Sequence, residues 1–202
     1  IEIIDTYGLD SLRYYLIKEV SFGNDGNISK EKLESCINSD LANNYGNLCQ
    51  RVISFNEKNF NLLIPEIDSF SKEDLDLLDR FKINFDTLIN NMDNQDLNSY
   101  MNFIVESLFS ANKYFNDEEP WNKKSDKKRL NTIVYVALEV IRKISIMLYP
   151  IIPSSSLKAL KIFNIEEKAI SFESIKNHNV LIPKDKINKI DILFKKIDSK
   201  ND

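Results

Sequence analysis

An all-α helical bundle is the fold class that this sequence predicts, and three observations predict it. Apolar residues recur at helical spacing through most of the 202 residues. All four glycines (Gly8, Gly23, Gly26, Gly46) lie in the first quarter, so the long remainder lacks the residue that tight hairpins and phosphate-cradling loops favour. With 43% hydrophobic content, the chain can bury a sizeable core without disulfide staples.

Each element has its own signal. The first 28 residues read as a small subdomain. Glu2 to Tyr7 fits a short helix ended by Gly8, and Asp10 to Val20 a second with Leu12, Leu16 and Val20 on one side. Phe22-Gly23-Asn24-Asp25-Gly26-Asn27 is a turn-rich connector. A long helix from Ser29 to Phe55 follows. Leu33, Ile37, Leu41, Leu48, Val52 and Phe55 form its stripe, Tyr45 fills the step between Leu41 and Leu48, and Ser29 suits the N-cap. A second stripe of Leu75, Leu78, Phe81, Phe85, Leu88 and Met92 reads as one helix, opened by Ser71 with Asp74 three residues on to satisfy free amides. Leu97, Met101, Ile104, Leu108 and Ala111 make a third. The fourth, Leu130 to Leu148, is apolar on more than one face and so is the central, most buried helix; Ser125 and Asp126 open it and Pro150 closes it. One further helix fits Ser155 to Phe163. Beyond it the apolar positions sit in a Lys- and Asn-rich background with no assigned element, and Ser199 to Asp202 reads as a disordered tail.

Composition excludes several function classes. Two cysteines, Cys36 and Cys49, make neither a disulfide framework nor a four-cysteine metal site. With no signal-peptide pattern in view, they fit a reduced, cytoplasmic protein. A single histidine, His178, removes every site that needs two, including helical zinc-protease motifs. No apolar run approaches the ~18 residues of a transmembrane helix, so no membrane partner is expected. The net charge of −4 argues against a protein that coats nucleic acid indiscriminately. It hides an asymmetry: residues 1–110 carry 9 Lys/Arg against 19 Asp/Glu, net −10, and residues 111–202 carry 18 against 12, net +6.

No catalytic constellation is visible: there is no nucleophile turn, P-loop or GxGxxG, and no metal site is expected. The acidic residues Asp74, Asp79, Glu118 and Glu119 read as solvated helix ends and loops. His178 stands in a loop-like Lys-Asn-His-Asn context with no orienting partner in view. Two places are more informative. Asp40, Asn44, Asn47 and Arg51 follow i, i+4, i+7, i+11 and would project in a row beside the apolar stripe. An amide and a guanidinium one turn apart can pair with the edge of an unstacked base, and Asp40 could orient Asn44; a hydrated helix face explains the same spacing. The other place is the only tryptophan, Trp121, stiffened by Pro120 in a polar loop and followed by Lys123, Lys124, Lys127, Lys128 and Arg129. A rigid aromatic beside clustered cations suits stacking of a single-stranded base with neutralisation of nearby phosphates, and a Trp folded over a helix end suits the same residues.

The residues also resemble a known family. The opening Ile1-Glu2-Ile3-Ile4-Asp5-Thr6-Tyr7-Gly8-Leu9-Asp10-Ser11-Leu12-Arg13-Tyr14-Tyr15-Leu16 resembles the segment that follows the KMSKS loop of class I aminoacyl-tRNA synthetases. Glu19 to Ser29, Asn38-Ser39-Asp40-Leu41-Ala42-Asn43-Asn44-Tyr45-Gly46-Asn47-Leu48-Cys49-Gln50-Arg51, the Tyr114 to Trp121 block and Leu148-Tyr149-Pro150-Ile151-Ile152-Pro153 are similar to the methionyl branch of that class. So is the closing Leu193-Phe194-Lys195-Lys196-Ile197, although Lys195-Lys196 stands where Pro-Arg is usual. The resemblance covers almost the whole chain, with Asn56 to Asn98 the most divergent part.

It implies a stem-contact segment over residues 1–35 and an anticodon-binding bundle over residues 36–202. By position, Asn47 and Arg51 would read the first base of the CAU anticodon, and Trp121, shaped by Pro120, would stack an anticodon base. Cytosine's O2, N3 and N4 groups suit a donating guanidinium and a bridging amide. The implied partners are methionine tRNAs, initiator and elongator, and an N-terminal catalytic domain. The HIGH and KMSKS signatures are missing, which implies a fragment, either an expressed piece or a natural remnant, that does not charge tRNA alone. No cofactor is implied for this stretch; ATP with Mg, and zinc, belong to the parent enzyme. A helical protein-interaction module and the equivalent domain of another class I synthetase are the competing readings.

Overall fold

The structure is a computed structural model that describes residues 2–19 and 29–197. The predicted connector Phe22 to Asn27 and the tail Ser199 to Asp202 lie outside the described residues. Helix is the regular structure throughout, as the sequence predicts: α1 (Glu2–Tyr7), α2 (Leu9–Glu19), α3 (Lys30–Cys36), a π-helical segment (Ile37–Gly46), α4 (Asn47–Phe60), α5 (Lys72–Ile83), α6 (Phe85–Asp93), α7 (Leu97–Asp117), α8 (Lys127–Leu148) and α9 (Pro153–Ile162). Short 3-10 turns stand at Pro120–Asn122, Glu167–Ala169 and Phe172–Lys176. The only β pairing among the described residues is one isolated bridge, Leu63 to Lys186.

The predicted caps form. Ser29 accepts from the Lys32 amide at the start of α3, and Ser71 with Asp74 closes a reciprocal capping box on α5. Asp126 caps α8 by accepting from the Arg129 amide. Two predicted helices differ from expectation. The Leu75 to Met92 stripe is broken into α5 and α6 at Asn84, whose side-chain amide donates to the Arg80 carbonyl at 2.9 Å and competes with the backbone ladder. The long first helix runs on to Phe60, and its middle ten residues wind as a π-helix. The Asn47 amide donates to the Ala42 carbonyl, five residues back.

Helix α8 is the axis of the bundle: every residue from Thr132 to Leu148 is buried. Helices α4, α5, α7 and α9 surround it. Three of its buried side chains are charged, and all three serve the irregular chain after α9. Glu139 accepts from the Val180 and Leu181 amides at 2.7 and 3.1 Å. Arg142 pairs with Glu139 at 2.5 Å and donates to Ser174 O at 3.0 Å. Lys143 donates to Ile175 O at 2.7 Å and to His178 Nδ1 at 3.2 Å. A stretch whose own regular structure is limited to short 3-10 turns and one bridge thus draws several of its backbone hydrogen bonds from α8. His178, unpartnered in the sequence reading, is bridged between Lys143 and Asp79, its Nε2 lying 2.8 Å from the Asp79 carboxylate.

The N-terminal helices join the same core through Tyr14 and Tyr15. Arg13 donates to the Pro150 and Ile151 carbonyls, and Asp10 accepts from the Ser155 amide, so α2 is stapled to the α8–α9 corner. Cys36 and Cys49 are both free thiols and both buried.

Replacing Glu139 by alanine leaves Arg142 charged and unpaired in the core, and should cost ~3–5 kcal/mol of stability in urea unfolding. Burial presses Lys143 from 10.5 down to about 8, against an opposing pull from Glu139. Below about pH 8 folding bears the full cost of that buried ammonium, and the cost fades as pH rises toward 10.5. Between pH 8 and 10 the wild type should therefore gain stability relative to Lys143→Met; parallel curves for the two proteins would contradict this.

Candidate functional site

The structure places the two sequence-predicted places at one end of the bundle and joins them through Phe115. Asn47 and Arg51 stand one α turn apart at the start of α4, with Asn47 exposed and Arg51 half-buried. The Arg51 guanidinium lies 5.6 Å from the centre of the Phe115 ring and donates to Asn116 Oδ1 at 2.6 Å. Trp121 meets the same Phe115 ring edge-on at 6.3 Å, and Phe55 supports that ring from another side at 6.0 Å. Trp121 keeps 41% of its surface exposed beside this cluster, whereas Pro120 is buried. An open indole, a guanidinium already aimed by an amide, and a second, exposed amide together form a surface that can stack one ring and hydrogen-bond the edge of another.

The loop that presents Trp121 is clamped at both ends. Glu118 closes α7 and Arg129 lies in the first turn of α8, and Arg129 binds both Glu118 (2.7 Å) and Asp74 of α5 (2.5 and 3.0 Å). Tyr114 adds a hydrogen bond to Asp74 at 2.5 Å. Burial works to raise the Asp74 carboxyl, but the Arg129 fork and the Tyr114 and Ser71 donors outweigh it and hold the group below its ordinary value. Between the clamps, Glu119 takes a left-handed φ of 43°, a conformation rare for a residue with a Cβ. That reversal turns Pro120 inward and leaves Trp121 facing out.

Several expectations are corrected. Asp74 and Glu118, read as solvated carboxylates, are the anchors of the loop, because Arg129 is folded back onto them. Arg129 is accordingly spent on structure. Lys128 pairs with Asp68 at 2.9 Å, while Lys123, Lys124 and Lys127 form no ion pair among the described residues. Lys127 and Lys128 stand at a helix N-terminus, where the backbone dipole disfavours cations, so helix stability does not account for them. Asp40 and Asn44 do not continue the row of Asn47 and Arg51. The π winding turns both inward: Asp40 binds Lys18 and Tyr14, Asn44 accepts from Asn112 at 2.7 Å, and Asp40 does not orient Asn44.

Phe115 and Asn116 are the residues that sequence reasoning missed. Their signal was present: Asn112 and Asn116 stand at i, i+4 on α7, facing Asn44 and Arg51. Among the described residues no group of three His, Cys, Asp or Glu side chains is placed to hold a metal ion. No helix there is long and apolar enough to cross a membrane.

Comparison with known proteins gives the class first. Residues 1–53, which include Asn47 and Arg51, match the family model for tRNA synthetases of class I (M). Residues 64–202, which include Trp121, match the model for the anticodon binding domain of methionyl tRNA ligase, and the chain belongs to that family. It is 39% identical over 175 residues to the methionine–tRNA ligase of Brucella suis, covering 86% of this chain and 34% of the relative. To the Thermotoga maritima enzyme it is 38% identical over 200 residues, covering 98% and 32%. The free-state crystal structure of Mycobacterium tuberculosis methionyl-tRNA synthetase superposes with a TM-score of 0.91 at 30% identity, covering 98% of this chain and 41% of that one. The chain spans about a third of the length of these curated relatives.

Asp74→Asn should loosen the loop without touching its tip. The expected results are a stability loss of ~3 kcal/mol and a more mobile, more quenchable Trp121 in fluorescence anisotropy and acrylamide titration. An unchanged Trp121 signal would contradict the clamp.

Proposed function

We propose that this chain reads the CAU anticodon of methionine tRNAs, initiator and elongator, for a methionine-tRNA ligase that works in the cytoplasm. The observation that carries the reading is the convergence of Arg51 and Trp121 on Phe115, with Asn47 one turn away, in a chain of the methionyl anticodon-binding family. Trp121 offers a face for an unstacked base, and Arg51 with Asn47 offers donors and an acceptor to the pairing edge of the first anticodon base. Lys123, Lys124 and Lys127 supply local cations for the loop phosphates, with Lys128 able to exchange Asp68 for a phosphate. A local patch suffices because one RNA loop is met by shape and base edge, and the acidic remainder of the chain limits indiscriminate RNA binding.

In this reading residues 1–35 are the stem-contact segment and residues 36–202 the anticodon-binding domain. The chain is a fragment, and its task is to position tRNA for an N-terminal catalytic domain. That domain supplies the chemistry with ATP and Mg, and zinc where the parent holds it. Arg51→Ala and Trp121→Ala should each weaken binding to a CAU stem-loop by ~1–3 kcal/mol while the helical signal stays intact. Fluorescence anisotropy with CAU and scrambled loops measures this. Equal binding by wild type and both variants would sink the assignment, and equal binding of CAU and other anticodons would move the chain to a different specificity.

A further inference from the structure

Neighbours grip the π segment that precedes Asn47 from four directions. Asp40 accepts from Lys18 at 2.5 Å and Tyr14 at 3.1 Å, both on α2. Asn44 is held by Asn112 of α7, and the Tyr45 hydroxyl is hydrogen-bonded to Ser145 of α8 at 2.7 Å. The fourth contact is the strap of residues 193–197. Asn38 donates to Ile197 O at 2.9 Å and accepts from Ile197 N–H at 2.8 Å, and the Phe194 ring sits 6.4 Å from that of Tyr45.

Gly46 closes the segment, and its φ of −61° is open to any residue. Room is what it lacks. A Cβ there would stand 3.0 Å from the Leu41 carbonyl oxygen, with the Phe194 backbone nitrogen and ring at 3.9 Å. Leu41 is five residues back, the acceptor position of a π turn, so a side chain at 46 would press on the segment's own backbone, while the Phe194 contacts at 3.9 Å are ordinary packing. A π turn takes about one residue more than an α turn, so ten residues of π winding lag an α-helix by roughly half a turn. Rewinding the segment as α-helix would swing Asn47 and Arg51 through that angle relative to α3, away from Asn116 and Phe115.

We propose that Gly46, with the strap residues Phe194 and Ile197, is a positioning residue for anticodon reading: together they hold the π winding that aims Asn47 and Arg51 toward Trp121. The proposal rests on the function proposed above. It also gives the strap a role at a distance, because contacts near the end of the chain set the orientation of side chains on α4.

The test compares wild type, Gly46→Ala and Phe194→Ala. In RNA-free protein, NMR signals of the Arg51 guanidinium and the Asn116 side-chain amide should shift in Gly46→Ala while α8 core signals stay in place. With RNA, the preference for a CAU over a UAU stem-loop should fall about tenfold, the worth of one base-edge contact, while weak binding common to both loops remains. Phe194→Ala should lower the same ratio by less, and it decides the matter if Gly46→Ala does not fold. A purely structural role would reduce the folded fraction and leave the ratio unchanged, and an unchanged ratio with unchanged Arg51 signals overturns the proposal. Absence of a CAU preference in the wild type would sink the functional reading instead, and the RNA-free Arg51 signals would still decide whether Gly46 sets its position.

Discussion

The bundle is arranged around the burial of one helix, α8, over all but its first turn. A helix with a single apolar face needs one partner layer, but α8, buried on all sides from Thr132 to Leu148, needs a full ring of neighbours. Helices alone do not close that ring. The gap is filled by the irregular chain after α9, which can be buried only if its amides and carbonyls find partners. Glu139, Arg142 and Lys143 supply several of those partners, so the charges that look misplaced in the most apolar helix contribute to its burial. The interior therefore carries both acceptor and donor charges, and removing either kind leaves the other exposed to a low-dielectric core.

The candidate binding end depends on that axis at one remove. α8 begins where the Trp121 loop ends, and Arg129 in its first turn ties the loop to α5 and α7. Phe115 then acts as a shared platform: α7 supplies the ring, α4 brings Arg51 to it and the clamped loop brings Trp121 to it. α4 is thereby joined, on one aromatic ring, to α7 and the loop that follows it some sixty residues later in the chain.

Much of this was legible in the sequence. Helical periodicity located the bundle, the Ser29, Ser71 and Asp126 caps were readable, and the multi-faced apolar pattern of Leu130 to Leu148 announced the central helix. What escaped was long-range pairing, which has no local signature. Nothing near Asp74 in the chain points to Arg129, and nothing near His178 points to Lys143 and Asp79. The π segment is an intermediate case. Leu33, Ile37, Leu41, Tyr45 and Cys49 are all buried at a constant spacing of four, whereas an α-helix holds one face only by alternating threes and fours. Read as an α-helix, the segment put Asp40 and Asn44 on the wrong side; read by that constant spacing, it announces slower winding.

The length of α8 has a consequence of its own. Its 22 residues separate the Trp121 loop from the α8–α9 corner, where Arg13 and Asp10 fasten the N-terminal helices, by about 33 Å. Because the helix is gripped on every side, it works as a rigid gauge between those two ends. Deleting one residue from it would shorten the gauge by only ~1.5 Å but turn one end against the other by about a hundred degrees. Residues added in exposed loop positions, such as those around 66–70, would leave the gauge as it is.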